Sequence, residues 1–291
     1  MRSFLKSTLE ILNHPLNRRS KIKTILKLFW WKINQLFFKL PVLIEIYPNR
    51  KCVCYPNSSF GSLIVYTNRP EFMEMKLTEL ILKEDSVFFD VGSGIGDFSL
   101  IASGKIKKGT IFAFEPSKKP LKNLRENVAI NFLDNKIKIF NQVVSDRIGR
   151  IYFEEKNISE ISHISLSKKG NRKKTNTLDI IISDNNIKKV DLIKVDVEGA
   201  ESLVLKGLEN SLKKNIIKSL IMELNSNSKL FNSSRNKIIN NLIKNNFKIY
   251  LINKSSLSIF NKKLIDKNKT INILAIHKSF KNKKLISKFL I

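Results

Sequence analysis

The eleven residues Val87–Asp97 constrain the fold more than any other stretch of this chain. Four apolar residues and one acid lead directly into three glycines at alternate positions, and a helical pattern begins at Phe98. This order predicts a buried strand, a tight turn and a helix N-terminus, where backbone N–H groups and the helix dipole face a ligand. Glycine fits such a turn because it adopts positive φ and lets a ligand approach the backbone. The loop alone indicates a nucleotide-like cofactor without specifying which one.

Strands and helices alternate regularly after Ser86, which predicts an α/β fold with a mostly parallel sheet covered on both faces. The last two predicted strands have no helix between them, so we expect them to pair antiparallel. The segment 146–178 is more irregular and contains one predicted strand at 150–153. The other predicted strands span residues 87–91, 110–114, 137–144, 191–197, 219–224, 247–252 and 270–277.

Composition divides the chain into four segments. Residues 1–40 form a basic amphipathic helical segment, and residues 41–84 form a small β/α unit with short strands at 42–47, 51–55 and 63–66 and a helix at 71–82. The large α/β domain spans 85–280, and a basic tail spans 281–291.

Residues 22–40 have the periodicity of an amphipathic helix with one wide apolar stripe. Lys23 and Lys27 flank one edge of the stripe and Lys32 and Lys39 flank the other, while Trp31 lies outside it. Such frequent lysines argue against a membrane-spanning helix and favour an interfacial one. We therefore predict peripheral contact of residues 21–40 with an anionic membrane. The alternative is that this helix covers the α/β domain or a partner subunit.

The chain carries 53 basic and 25 acidic residues, a formal net charge of +28. A basic surface attracts phosphate-rich partners such as nucleic acid or anionic lipid, although the general abundance of lysine, asparagine and isoleucine offers a compositional explanation. The two cysteines, Cys52 and Cys54, cannot build a disulfide framework, and the first twenty residues lack a secretory signal. These features predict a cytoplasmic protein that is free or peripheral at the inner face of the membrane.

Polar residues end each predicted strand, and the carboxyl ends of parallel strands form the ligand crevice. The loop is Gly-x-Gly-x-Gly, one residue shorter than the dinucleotide fingerprint, and an acid precedes it. These details favour S-adenosylmethionine over a nicotinamide cofactor. Asp90 suits its cationic amine, Glu115 its ribose hydroxyls and Asp146 its adenine amino group. The predicted cofactor-binding residues are Asp90, Gly92, Ser93, Gly94, Gly96, Glu115, Pro116, Ser145 and Asp146.

Several motifs resemble the FkbM-type methyltransferases over roughly residues 60–225, and the run Lys194–Glu201 is the most specific of them. Ser93 and Gly94 depart from that pattern, in which alanine and asparagine are common. The resemblance implies a class I, Rossmann-like methyltransferase domain that uses S-adenosylmethionine and often methylates sugar hydroxyls. The matching stretches are Phe89–Gly96, Ala113–Pro116, Thr177–Asp179, Leu192–Glu201, Leu205–Gly207 and Met222–Leu224.

Asp196 is the first candidate for a general base or for positioning the acceptor, with Lys194, Glu198 and Glu223 around it. His163, in the irregular segment, is a further candidate base. Three of these residues have an alternative, non-catalytic explanation. Glu198 can be a helix N-terminal carboxylate, Lys194 can simply pair with Glu223, and His163 can be structural. A divalent ion between Asp196 and Glu223 is compatible with the sequence but not required by it.

The sequence therefore predicts an S-adenosylmethionine-dependent O-methyltransferase whose acceptor is a small molecule or a glycan. The preferred acceptor is a sugar hydroxyl in glycan, polysaccharide or glycolipid biosynthesis. A nucleic-acid methyltransferase is the alternative that the positive charge suggests, but the chain has no Asn-Pro-Pro-Tyr motif and no paired catalytic cysteines. A non-catalytic membrane-surface protein is the third alternative, and the intact acids at four strand ends argue against it.

Overall fold

The computed structural model describes residues 2–155, 163–165, 169–225, 234–261, 269–281 and 283–291. Its helices are α1 (Arg2–Leu12), α2 (Lys21–Ile33), α3 (Ser59–Thr67), α4 (Phe72–Ile81), α5 (Asp97–Lys105), α6 (Lys118–Ile130), α7 (Leu178–Asp184), α8 (Glu201–Lys206), α9 (Glu209–Lys213), α10 (Arg235–Lys244) and α11 (Lys283–Ser287). Its strands are β1 (Val42–Tyr47), β2 (Arg50–Cys54), β3 (Val87–Val91), β4 (Thr110–Phe114), β5 (Ile137–Phe140), β6 (Val143–Val144), β7 (Gly149–Glu154), β8 (His163–Ile164), β9 (Asn171–Asn176), β10 (Leu192–Val195), β11 (Ser219–Leu224), β12 (Phe247–Ile252), β13 (Leu257–Ile259) and β14 (Ile271–His277).

The central sheet has the strand order β13-β12-β14-β11-β10-β3-β4-β5 in the described part of the chain. The strands from β11 to β5 pair in parallel, whereas β14 pairs antiparallel with both β11 and β12. The predicted α/β fold, with its mostly parallel sheet and antiparallel C-terminal strands, is confirmed. The chain leaves β3 toward β4 on one side and later returns to β10 on the other. A ligand crevice is expected at this switch point.

The core has one apolar layer on each face of the central sheet. In β3, Phe88 belongs to one layer and Phe89 to the other, and both side chains are fully buried. Because both faces are covered, the parallel strands are apolar at nearly every position rather than alternating. The hairpin of β1 and β2 contributes Ile46 and Cys52 to the layer that also holds Phe98 of α5.

The structure corrects several sequence-based boundaries. Residues 63–66, predicted as a strand, lie in α3, whose N-cap Ser58 accepts a hydrogen bond from Gly61 N at 2.9 Å. The predicted strand 137–144 is divided between β5 of the central sheet and β6 of a second sheet. After β10 the chain forms two short helices, α8 and α9, rather than one, and they are separated at Gly207, where a Cβ would overlap the carbonyl oxygen of Ser145. Short apolar runs do not distinguish a strand from a buried helix, which explains the error at α3.

The irregular segment forms most of the second sheet, whose order is β6-β9-β7-β8. The predicted strand at 150–153 corresponds to β7. Strand β9 was not predicted because its sequence, Asn-Arg-Lys-Lys-Thr-Asn, lacks an apolar face. This sheet lies beside the carboxyl ends of the central strands, so Phe153 and Ile164 reach the cavity described below.

Helix α2 continues into a π-helical turn at Asn34–Phe38. Trp31 is fully buried, and its indole Nε1 donates a hydrogen bond to Ser62 Oγ of α3 at 2.9 Å. Among the helices of the described residues, none has the length and apolar character needed to cross a bilayer.

Candidate cofactor and catalytic site

A cavity of about 540 Å³ opens at the carboxyl ends of β3, β4, β10 and β11. The glycine loop forms one wall, and residues that precede and begin α3, including Tyr55 and Phe60, form another. This volume is typical of sites for nucleotide-sized ligands. The cavity therefore lies where the strand order reverses, as the fold predicts.

The three loop glycines have positive φ angles, +79° at Gly92, +54° at Gly94 and +88° at Gly96. A Cβ on Gly92 would overlap the carbonyl oxygen of Asp196 and lie 2.9 Å from its carbonyl carbon, so this glycine permits close packing against the end of β10. A Cβ on Gly94 would meet no atom within 4 Å. Gly92 therefore serves the protein's own packing, whereas Gly94 borders open cavity space.

Glu115, at the end of β4, binds the glycine loop through a side-chain hydrogen bond. Its Oε2 accepts a hydrogen bond from Gly94 N at 2.9 Å, and its Oε1 accepts one from Ser117 N at 2.7 Å. Burial raises the pKa of Glu115 to about 7, although these backbone donors oppose the shift. Glu115 and Pro116 both line the cavity, where each carboxylate oxygen retains a lone pair for a ligand hydroxyl.

The acid that faces the cavity from the glycine loop is Asp97, which the sequence analysis did not select. Asp97 is the first residue of α5. Its Oδ2 is buried and has no hydrogen-bond partner among the described residues. Burial raises its pKa to about 7. Asp90 lies beneath the loop instead, fully buried with Oδ2 accepting a hydrogen bond from Ser99 Oγ at 2.6 Å. Asp97 therefore lines the cavity, whereas Asp90 is not among the described residues that do so.

The far end of the cavity is lined by Gln142, Val143 and Val144 rather than by the predicted Ser145 and Asp146. Ser145 is buried, with its N–H donating to Asn176 O at 2.9 Å and its Oγ lying 3.3 Å from Asp146 Oδ1. Gln142 was missed, although it immediately precedes the β6 strand. Its Nε2 is buried and has no hydrogen-bond partner within the described residues.

Lys194 provides a buried positive charge in the part of the cavity formed by the ends of β10 and β11. Its Nζ lies 3.0 Å from Asp196 Oδ2, 3.9 Å from Glu71 Oε2 and 4.3 Å from the ring centroid of Phe98. Burial alone would lower the pKa of Lys194, but the surrounding carboxylates outweigh it and raise the pKa well above its usual value. The alternative that Lys194 pairs with Glu223 is not what the structure has: within the described residues its ion pairs are with Asp196 and with Glu71, a residue that the sequence analysis missed.

Asp196, Glu198 and Glu223 bring three carboxylates together, each with an oxygen within 4.8 Å of the others. Glu198 has a positive φ of +51°, and its Oε2 accepts a hydrogen bond from Asn225 Nδ2 at 3.2 Å. Burial and the negative charges of Asp196 and Glu198 raise the pKa of Glu223 to about 7. Carboxylate oxygens are ligands that divalent cations prefer, so this cluster, found among the described residues, could hold such an ion.

Two residues remain to be placed, Glu201 at the end of the Lys194–Glu201 run and the candidate base His163. Glu201 is fully buried, and its Oε1 accepts a hydrogen bond from Gly199 N at 2.8 Å, which holds the turn before α8. His163 begins β8, where its backbone pairs with Glu154. The His163 side chain is outside the part of the structure that is described.

The cavity thus has two chemically distinct halves. In one half, Ser93 Oγ and Asp97 Oδ2 at the glycine loop and Gln142 Nε2 at the far end are buried polar atoms without partners among the described residues. Such atoms are costly unless a ligand or water satisfies them, and they offer a carboxylate, a hydroxyl and an amide to one molecule. The other half holds Lys194 and the three-carboxylate cluster.

Comparison with known proteins places this site in a family. Residues 90–249, more than half of the chain, match the methyltransferase FkbM domain. The hexuronic acid methyltransferase AglP of Haloferax volcanii is 33% identical over 144 residues, which cover 48% of this chain and 58% of that protein. The 2-O-methyltransferase NoeI of Sinorhizobium fredii is 29% identical over 158 residues, covering 48% of this chain and 64% of NoeI. A tRNA (guanine(37)-N(1))-methyltransferase of Dictyostelium discoideum is 30% identical over 126 residues, covering 43% of this chain and 26% of that enzyme.

The chain spans about three fifths of the length of AglP and NoeI. The matched domain includes the glycine loop, the Lys194–Glu201 run and Met222–Leu224, which carried the resemblance in the sequence. That resemblance is confirmed, and the chain belongs to the FkbM methyltransferase family.

Proposed function

We propose that the protein is an S-adenosylmethionine-dependent O-methyltransferase that acts on a sugar hydroxyl. The observation that carries the proposal is that one cavity contains two groups of polar residues. One group surrounds the glycine loop, and the other consists of the carboxylates Asp196 and Glu223 with Lys194 beside them. Two of the three relatives support the acceptor class, since AglP is named for hexuronic acid and NoeI for 2-O-methylation.

The unpartnered atoms of the polar half fit S-adenosylmethionine. When bound, this cofactor supplies an electrophilic methyl group on a positively charged sulfur. Asp97 would hold the methionyl ammonium, because its carboxylate is buried in the cavity wall and lacks a partner among the described residues. Glu115 would accept hydrogen bonds from the ribose hydroxyls, and Gln142 would bind the adenine ring.

Glu223 is better suited than Asp196 to act as the general base. Asp196 Oδ2 already accepts a hydrogen bond from the Lys194 ammonium at 3.0 Å. Glu223 has a pKa raised to about 7, near the value at which a general base is most effective at neutral pH. We therefore assign Glu223 as the base and Asp196 to orienting the acceptor hydroxyl.

Lys194 also contributes to this assignment. Its ammonium contacts Asp196 and places a positive charge beside the three carboxylates. Glu223 would take the proton from the acceptor hydroxyl, and Asp196 would hold that hydroxyl in position for methylation. Glu198, anchored by Asn225, shapes the same side of the pocket.

The test combines calorimetric titration of S-adenosylmethionine with methyl-transfer rates for Asp196→Asn and Glu223→Gln. Both variants should bind the cofactor as the unmodified protein does, and both should lose turnover by about 10²–10⁴-fold. Glu209→Gln is the matched control, because Glu209 is an exposed acid that pairs with Lys213 on α9. Full turnover by Glu223→Gln would contradict the assignment of the base.

A further inference from the structure

The apolar stripe of α2 and its π-helical turn faces away from the protein. Nine large apolar side chains of residues 22–40 are more than half exposed, with values from 51% at Trp30 to 77% at Ile22. The opposite side of the helix is the buried one, and it holds Thr24 and Trp31. The exposed set, called here the apolar face, consists of Ile22, Ile25, Leu26, Phe29, Trp30, Leu36, Phe37, Phe38 and Leu40.

The orientation of the helix is fixed by specific bonds to α3 and to the loop before it. Trp31 Nε1 donates to Ser62 Oγ at 2.9 Å, and Gln35 Nε2 donates to Pro56 O at 2.9 Å. Turning the apolar face inward would break these bonds and expose the fully buried indole of Trp31. An exposed apolar surface of this extent, fixed on a packed helix, marks an interaction site.

Positive charge surrounds the apolar face. The sequence has no acidic residue between Glu10 and Glu45 but seven basic ones, so residues 11–44 carry +7. Lys27 is partly withdrawn, since its Nζ donates to Asn68 Oδ1 at 3.0 Å. The exposed cations are Arg18, Arg19, Lys21, Lys23, Lys32 and Lys39.

We propose that the apolar face docks the protein on an anionic lipid bilayer, with α2 lying in the interface plane. Exposed Phe and Trp side chains on a lysine-flanked helix fit the boundary between acyl chains and headgroups. The lysines can reach anionic headgroups from both edges of the stripe. A second copy of the chain fits less well, because a two-fold interface would bring the same +7 charge against itself.

The docking surface adjoins the catalytic cavity. The segment of residues 55–60 is held from one side by Gln35, and its residues Tyr55, Asn57, Ser58 and Phe60 line the cavity from the other. If the proposed sugar methylation is correct, on which this step rests, docking places the cavity beside the bilayer. The acceptor class that follows is a sugar carried on a membrane lipid.

Vesicle flotation of the full chain tests the docking surface without requiring catalysis. The protein should float with vesicles of phosphatidylcholine and phosphatidylglycerol, and much less with phosphatidylcholine alone. Phe29→Glu/Phe37→Glu should lower vesicle affinity at least about tenfold. Ile148→Glu/Ile243→Glu is the matched control, because it places the same charges at exposed apolar sites elsewhere and should leave flotation unchanged.

Replacing lysines tests the electrostatic part. Lys32→Gln and Lys39→Gln should each weaken binding to anionic vesicles by about fivefold at low salt, and less at high salt. Absence of flotation with anionic vesicles would overturn the proposal. So would a Phe29→Glu/Phe37→Glu variant that floats as well as the unmodified protein. A dimer that this variant dissociates would assign the face to a second copy instead. Cofactor titration of every variant verifies folding, and flotation without sugar methylation would refute the proposed function alone.

Discussion

Alanine substitutions at Gly92 and Gly94 separate the two roles of the glycine loop. Both residues have positive φ, which costs an alanine about 1 kcal/mol. At Gly92 the new Cβ would also overlap the Asp196 carbonyl oxygen and displace the end of β10, which adds about 2 kcal/mol as an overpacking cost. At Gly94 no atom lies within 4 Å of the new Cβ, so only the conformational cost remains.

The expected difference is large enough to measure by thermal unfolding. About 3 kcal/mol for Gly92→Ala corresponds to a Tm lower by about 6–12 °C, and about 1 kcal/mol for Gly94→Ala to about 2–4 °C. Gly94→Ala should nevertheless lose S-adenosylmethionine affinity in calorimetric titration, because its methyl group enters the proposed cofactor space. Equal Tm values for the two variants, or full cofactor affinity in Gly94→Ala, would refute this division of roles.

Three further predictions concern the buried acids. Asp97→Asn should weaken S-adenosylmethionine binding by about 10–100-fold in calorimetric titration, the worth of one hydrogen bond to a charged group; unchanged affinity would remove Asp97 from the site. The kcat/KM for methyl transfer should rise with pH and level off above about 7, as Glu223 loses its proton, and a profile that falls through this range would exclude Glu223 as the base. The folded-state pKa values of Asp97, Glu115 and Glu201, each about 7, exceed the usual values near 4 in an unfolded chain. Their contribution to the free energy of unfolding should therefore decrease as the pH rises from about 4 to 7. In urea titrations, the free energy of unfolding of Asp97→Asn should depend less steeply on pH than that of the unmodified protein.

The sequence was most informative where a long apolar run ends in polar residues. Strands β3, β4 and β11 have the predicted boundaries because nearly every residue of each is buried, so each forms a continuous apolar run. Helix α3 was misassigned because four consecutive apolar residues fit either structure. The helical periodicity of α2 was correct, but periodicity cannot show that the apolar side faces outward while Trp31 anchors the helix.

The candidate site was predictable in its chemistry and less so in its geometry. The Lys194–Glu201 run and Glu223 are brought together as their positions at adjacent strand ends predict. Glu71 and Gln142 were missed because they enter the cavity from α4 and from the β5–β6 connection, by packing that no local pattern encodes. Asp97 was missed although its signal was present, since an acid in the first turn after a glycine loop faces the ligand side of the helix.

Identification of the methylated product tests the central claim most directly. The full chain would be incubated with S-adenosylmethionine labelled with ¹³C at the methyl group and with a free hexuronic acid, neutral hexoses, a lipid-linked oligosaccharide or transfer RNA. The proposal predicts an alkali-stable O-methyl ether on a sugar, seen by NMR, and its loss in Glu223→Gln. Label in an alkali-labile ester, on an amine or in the RNA would contradict sugar O-methylation by a carboxylate base.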